Sequence, residues 1–159
     1  MIGGVPHLSP AAWGDPEVSL LTAAQQAELR ARYDGKGEPG VPPSAADVAV
    51  VLVARDDDGP PIGIGALRPL GPDSAEVKRM YVVPEARGRG VSKLVLSGLE
   101  GAALDRGWTT LRLETGPLQP EAAGLYRGAG YRGIGAFGGY AGDPDAADSL
   151  FFERVLGGP

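Results

Sequence analysis

Residues 84–93 read PEARGRGVSK, and their reading decides the fold. Upstream, AEVKRMYVV (75–83) is a β-branched run of strand type that Pro84 ends. Downstream, Val91, Leu94, Val95, Leu99, Ala102 and Ala103 recur at helical spacing, and Gly107 closes the pattern. A strand that stops at a loop opening a helix leaves several backbone N–H groups directed outward at the helix amino end. Together with the helix dipole, those donors attract an anion. Gly88 and Gly90 remove side chains that would hold a phosphate away from the amides, and Arg87, Arg89 and Lys93 add positive charge. The segment therefore reads as a phosphate cradle, the alternative being a solvated basic loop that caps a helix.

Two familiar phosphate sites do not fit. The Walker pattern is absent, and a dinucleotide G-x-G-x-x-G would need glycine where Lys93 stands. An ordinary nucleotide-binding domain is disfavoured on the same grounds.

Outward from the loop, the chain reads as mixed α/β. Asp15-Pro16 starts a helix with Val18, Leu21, Ala24 and Leu29 on one face, ending near Asp34-Gly35. GKGEPGVPPSA (35–45) is a loop. DVAVVLVARD (47–56) and IGIGALRPL (62–70) form an antiparallel hairpin, with Asp56, Asp57 and Asp58 as solvated turn surface. In the third strand, alternation puts Glu76, Lys78, Met80 and Val82 on one face and Val77, Arg79, Tyr81 and Val83 on the other. WTTLRLET (108–115) is a strand, QPEAAGLYRGAG (119–130) a short helix, YRGIGAF (131–137) a strand and SLFFERVL (149–156) a final strand whose exposed face is a candidate homodimer surface. Trp13 and Trp108 read as core or rim. No linker or repeat divides residues 1–159, so one domain is expected.

Composition narrows the chemistry. The absence of cysteine removes disulfides, thiolate metal sites and a cysteine nucleophile. A Ser-His-Asp triad would rest on the lone His7, near a terminus expected to be loose. The start has neither the basic nor the apolar region of a signal peptide, and no apolar run approaches membrane-spanning length, so a cytoplasmic protein with no membrane partner is expected. A net charge of -5 disfavours nucleic-acid binding and leaves room for cationic substrates.

The run VVPEARGRGVSKLVLSGLE (82–100) resembles the acyl-CoA motif of the GNAT superfamily of N-acetyltransferases, Arg/Gln-x-x-Gly-x-Gly/Ala: Arg87, Gly88, Arg89, Gly90 and Val91 match, and Ser92 replaces the last small residue. A second motif, LRLETGPLQPEAAGLYRGAGY (111–131), resembles the superfamily's strand followed by Asn-x-x-Ala-x-x-Leu-Tyr-x-x-x-Gly-Phe/Tyr. Ala122, Leu125, Tyr126, Gly130 and Tyr131 fall in register, with Gln119 where Asn is usual. With FGGYAGDP (137–144), the whole is similar to a bacterial branch whose substrates are mostly unassigned.

The resemblance implies a mainly antiparallel, twisted sheet of six to seven strands with flanking helices, its central strands splayed to form the acyl-CoA cleft. It implies acetyl transfer from acetyl-CoA to a primary amine of a small molecule or peptide, with no metal required. Gly88, Arg89, Gly90, Val91, Ser92 and Lys93 would hold the pyrophosphate beside Arg87, Gln119 would meet the pantetheine arm, and the backbone at Tyr81, Val82 and Val83 would bind that arm as an added strand. One N–H, that of Val82, would polarise the thioester carbonyl. Tyr126 would protonate the leaving thiolate, unless it simply packs beside Leu125. Glu114, Glu76 or a water chain would take the amine proton, and either carboxylate could instead pair with Lys78, Arg79 or Arg112. Arg79 would recognise an acceptor carboxylate or cover the sheet. A module that binds acyl-CoA as a sensor and transfers nothing is the alternative.

Overall fold

A computed structural model describes residues 5–157. Asp15 opens helix α1 (Pro16–Arg32): its carboxylate accepts from the Glu17 N–H at 2.9 Å, and Pro16 occupies the first turn, where no N–H is needed. The helix stops where Asp34 and Gly35 turn to φ 54° and 86°. Strands β2 (Val50–Asp56), β3 (Pro61–Gly71) and β4 (Ser74–Val82) follow as antiparallel neighbours. Helix α2 (Val91–Asp105) crosses to β5 (Thr110–Thr115), and α3 (Pro120–Gly128) leads to β6 (Arg132–Ile134) and β7 (Leu150–Val155).

A further strand, β1 (Pro6–Pro10), lies on the edge beside β2, with His7 opposite Arg55. The expectation of a loose His7 is thus corrected: the segment is a paired edge strand. The seven strands run β1-β2-β3-β4-β5-β7-β6. Helix α2 buries Val91, Val95, Leu96, Leu99 and Ala103 against one face of this sheet, while Val18 and Leu21 of α1 pack with Val51, Val53, Ile64 and Ala66 on the other.

Among the described residues one strand pairing is parallel, and it positions the site. Strands β4 and β5 are in register from Ser74–Thr110 to Glu76–Arg112 and then part. Beyond that point β4 carries an extra residue opposite Gly65: Ala66 faces Lys78 but Ile64 faces Tyr81, and Arg79 sits at φ 60°. This β-bulge overturns the simple alternation expected for the strand. Ala75 and Val77 face α2 together with Met80 and Val82, whereas Tyr81 and Val83 join the α1 side. Gly65 is required where α2 crosses the bulge, because a Cβ there would lie 2.7–2.8 Å from side-chain atoms of Val95, Leu99 and Met80.

Candidate active site

Where β4 and β5 diverge, a cleft of about 490 Å³ opens between α1, the loop after it, the start of α2 and the start of α3. One wall is the outer edge of β4. The Val83 N–H is consumed by the Ile62 carbonyl at 2.9 Å, so strand alternation turns the Val82 backbone to the cleft side. There Arg87 Nε donates to the Val82 carbonyl at 2.9 Å, and Gln25 Nε2 donates to the Met80 carbonyl at 3.3 Å. Tyr81 and Val82 line the cleft and Val83 does not.

At one end the wall passes into the glycine loop. Gly88 and Gly90 have φ of 82° and 78°, which an L side chain adopts only with strain, and a Cβ at either would meet nothing within 4 Å. Gly90 is the N-cap of α2 and no side chain caps it. The amides of Val91 and Ser92 therefore open the helix beside unobstructed space, a geometry suited to an anion. Arg87, Gly88, Gly90, Val91 and Ser92 line the cleft. Arg87 is held by Glu28 at 2.9 Å and lies over the Tyr81 ring. Arg89 and Lys93 are not part of the lining: Lys93 is exposed, and Arg89 donates to Asp56 at 2.7 and 2.9 Å. Asp56 is thus an ion-pair partner and not solvated turn surface, while Asp57 and Asp58 are exposed.

Glu114 and Tyr126, titratable groups from different elements, both line the cleft. Glu114, on β5, accepts from the Ser149 hydroxyl at 2.6 Å. Burial pushes its carboxyl up to about 7, despite that hydrogen bond and the nearby Lys78 charge. Tyr126, on α3, is buried edge-on against Tyr131, with ring centroids 5.7 Å apart, and lines the cleft. Burial first, then the Glu114 charge, raises its phenol above the ordinary value. Tyr126 thus packs in the core and also lines the cleft.

Glu76 is in a different setting. It is 1% exposed, bonded to Arg68 at 2.8 Å and to the Tyr140 hydroxyl at 2.5 Å, with Lys78 at 3.7 Å, and it does not line the cleft. Arg79 lines the cleft but pairs with Glu38, as does Lys78. Burial opposes ionisation of Glu38, but the two cations outweigh it and hold its carboxyl below the usual range. Gln119 lines the cleft with its oxygen engaged: it accepts from the Gly116 N–H and the Tyr33 hydroxyl, both at 3.1 Å.

The family model described as "Acetyltransferase (GNAT) domain" matches residues 47–133. The chain belongs to the GNAT acetyltransferase family. An IAA acetyltransferase of Azospirillum brasilense is 41% identical over 106 residues, 66% of this chain and 67% of that protein. Among solved structures, a Klebsiella pneumoniae protein assigned to the acyl-CoA N-acyltransferases is 33% identical, with a TM-score of 0.81 over 96% of this chain and 99% of its own. A GNAT acetyltransferase of Elizabethkingia anophelis, crystallised with acetyl-CoA bound, shares the fold at 16% identity: its TM-score is 0.69, over 94% of this chain and 97% of that one.

The expected sheet and its GNAT topology are therefore borne out, with seven strands and a cleft at the splay. Glu38, Tyr33, Ser149 and Thr115 line the cleft without having been singled out in the sequence. Glu38 is the one acidic residue of the Gly/Pro-rich stretch 35–45, and that contrast was the available signal; the other three carried none.

Proposed function

We propose that the chain, as one N-acetyltransferase domain spanning 1–159, transfers an acetyl group from acetyl-CoA to a primary amine of a small molecule or peptide. The observation that carries this reading is a carboxyl poised near 7 and a phenol sharing one cleft, beside an uncapped helix amino end that can take phosphate. The uncrowded, positive-φ Gly88 and Gly90 and the edge of β4 that β5 leaves without a neighbouring strand suit a pyrophosphate followed by an extended amide-bearing arm.

In this scheme the amine, whose pKa of ~10 leaves it mostly protonated at neutral pH, first loses one proton to solvent, and Glu114, ionised, takes a second as the neutral nitrogen attacks. The Val82 N–H donates to the thioester oxygen as it gains charge. The new C–N bond forms as the C–S bond breaks, and Tyr126 gives its proton to the departing thiolate. The proton held by Glu114 returns through water to the Tyr126 phenolate, restoring both groups. Glu76 has a structural role here, because Arg68, Tyr140 and Lys78 occupy its oxygens. A cytoplasmic setting fits this chemistry, and no helix among the described residues is long and apolar enough to cross a membrane.

Thiol release from acetyl-CoA, measured over pooled amino acids, polyamines, aminoglycosides and short peptides, tests the reading. Release with one pool identifies the acceptor class. Acetyl-CoA binding without release from any pool would favour the sensor over the transferase. Glu76→Gln separates structure from chemistry: it is expected to lower stability by about 1–3 kcal/mol, since Arg68 and Lys78 lose a buried counter-charge. The folded fraction should keep kcat within about threefold, because general-base loss would cost far more. A kcat collapse with an unchanged melting temperature would transfer the base role to Glu76.

A further inference from the structure

Thr115 ends β5 at the point where that strand has left β4, and it lines the cleft. Its residue is 5% exposed and its hydroxyl Oγ1 is buried with no hydrogen-bond partner, alone in this among the described side-chain atoms. Such a group is costly to retain, because a buried hydroxyl can both donate and accept, and leaving it unpaired forfeits its hydration. Alternation along β5 puts Thr115 on the buried side with Leu111 and Leu113, a side where valine would pack equally well by shape. The neighbouring polar groups are committed elsewhere: the Gly116 N–H donates to Gln119, and Glu114, on the opposite face, takes Ser149.

We propose that the Thr115 hydroxyl is a binding group for the donor's pantetheine arm, hydrogen-bonding one of that arm's amides where it runs between the parted strands. The proposal rests on the acetyl-CoA reading of the cleft. A secondary amide offers both a carbonyl acceptor and an N–H donor, and the hydroxyl can meet either. The phosphates are not its target, because the glycine loop that suits them lies at the start of α2, across the cleft on the β4 side. Thr115 is then an affinity determinant distinct from the proton-transferring groups, and its unpaired state in the free protein is offset only when the arm is bound.

The sign of the stability change makes the test. Thr115→Val removes the hydroxyl at nearly constant volume, so the ligand-free variant should melt at or above the wild-type temperature. Its Kd for acetyl-CoA, measured by calorimetry, should rise by roughly 3- to 10-fold. Thr115→Ser, which restores the hydroxyl, should recover affinity to within about twofold of wild type. With an amine acceptor in hand, the Val variant should show a raised KM for acetyl-CoA and a kcat close to wild type. Unchanged affinity in the Val variant would overturn the proposal, leaving the hydroxyl a buried group that the donor does not use. A lower melting temperature in the Val variant would also overturn it, by revealing a structural partner. If the wild type itself fails to bind acetyl-CoA, the donor reading of the cleft fails first, an outcome separate from either of these.

Discussion

Glu114→Gln is expected to lower kcat/KM for the amine by about 100- to 1,000-fold, the range typical of losing a positioned general base. The amide keeps the shape of the side chain and its bond to Ser149, so the loss would report on proton transfer and not on packing. The pH dependence gives the sharper result. A carboxyl near 7 is half-ionised at neutral pH, so the ratio of wild-type to variant rate should rise tenfold per unit below about pH 7 and level off above it. Taking the ratio cancels the titration of the amine, which acts equally on both proteins.

The same group leaves a mark on stability, with a definite sign. Its ordinary value is 4.5 and burial raises it to about 7 in the folded chain. Between those values the native state binds more protons than the unfolded state, so stability is present at low pH and is lost as pH rises through the window. The glutamine variant has no such titration. Its melting temperature relative to wild type should therefore climb from about pH 4.5 to pH 7 and stay level beyond. A constant offset would mean that Glu114 is not desolvated, and the base assignment would lose its physical ground.

The two carboxylates on the central strands show what a sequence can and cannot resolve. Glu76 and Glu114 each sit in an amphipathic strand with basic residues nearby in the chain. What separates them is tertiary: Arg68 from β3 and Tyr140 from a distant loop close on Glu76, while Glu114 meets a serine and a partly open cleft. No local pattern encodes that difference. The glycine loop was legible because its requirement is local: a positive φ at Gly88 and Gly90 and an uncapped helix start follow from residues within ten positions. The fate of its arginines was not, since Arg89 turns to Asp56, 33 residues away in the chain.

The fold divides in the same way. Strongly patterned segments with Gly and Pro boundaries were readable, and their antiparallel order followed. Strand β1 was not, because Pro6 and Pro10 bracket it; an edge strand tolerates proline where its N–H would face away from the ladder. The bulge in β4 was invisible because EVKRMYVV alternates equally well in either register, and an arginine at φ 60° carries no sequence signal of the kind glycine does. Yet that one extra residue re-aims Arg79 toward Glu38 and sets Met80 and Val82 against α2. The strand's chemistry thus depends on a backbone irregularity that binary patterning cannot express.

Tyr126→Phe tests the other half of the proton balance. Removing one oxygen from a ring that packs against Tyr131 and Phe152 preserves the core, so the variant should fold and bind acetyl-CoA as wild type does. Its kcat should nevertheless fall by about 100- to 1,000-fold if the thiolate must be protonated as it leaves. The raised phenol value looks at first unfavourable for an acid, since a free thiol titrates near ~8.5. The comparison must be made in place. A thiolate released into the same buried setting is desolvated as the phenolate would be, and both anions face the charge of Glu114, which shifts both values upward. Once Glu114 has accepted the amine proton that charge is gone, and the barrier to forming the phenolate falls at the moment the thiolate appears. Base and acid are therefore coupled, and the double variant should lose much less than the product of the two single losses. Multiplicative losses would mean that the groups act independently. A kcat for Tyr126→Phe within about threefold of wild type would reduce Tyr126 to a packing residue and assign the thiolate proton to water.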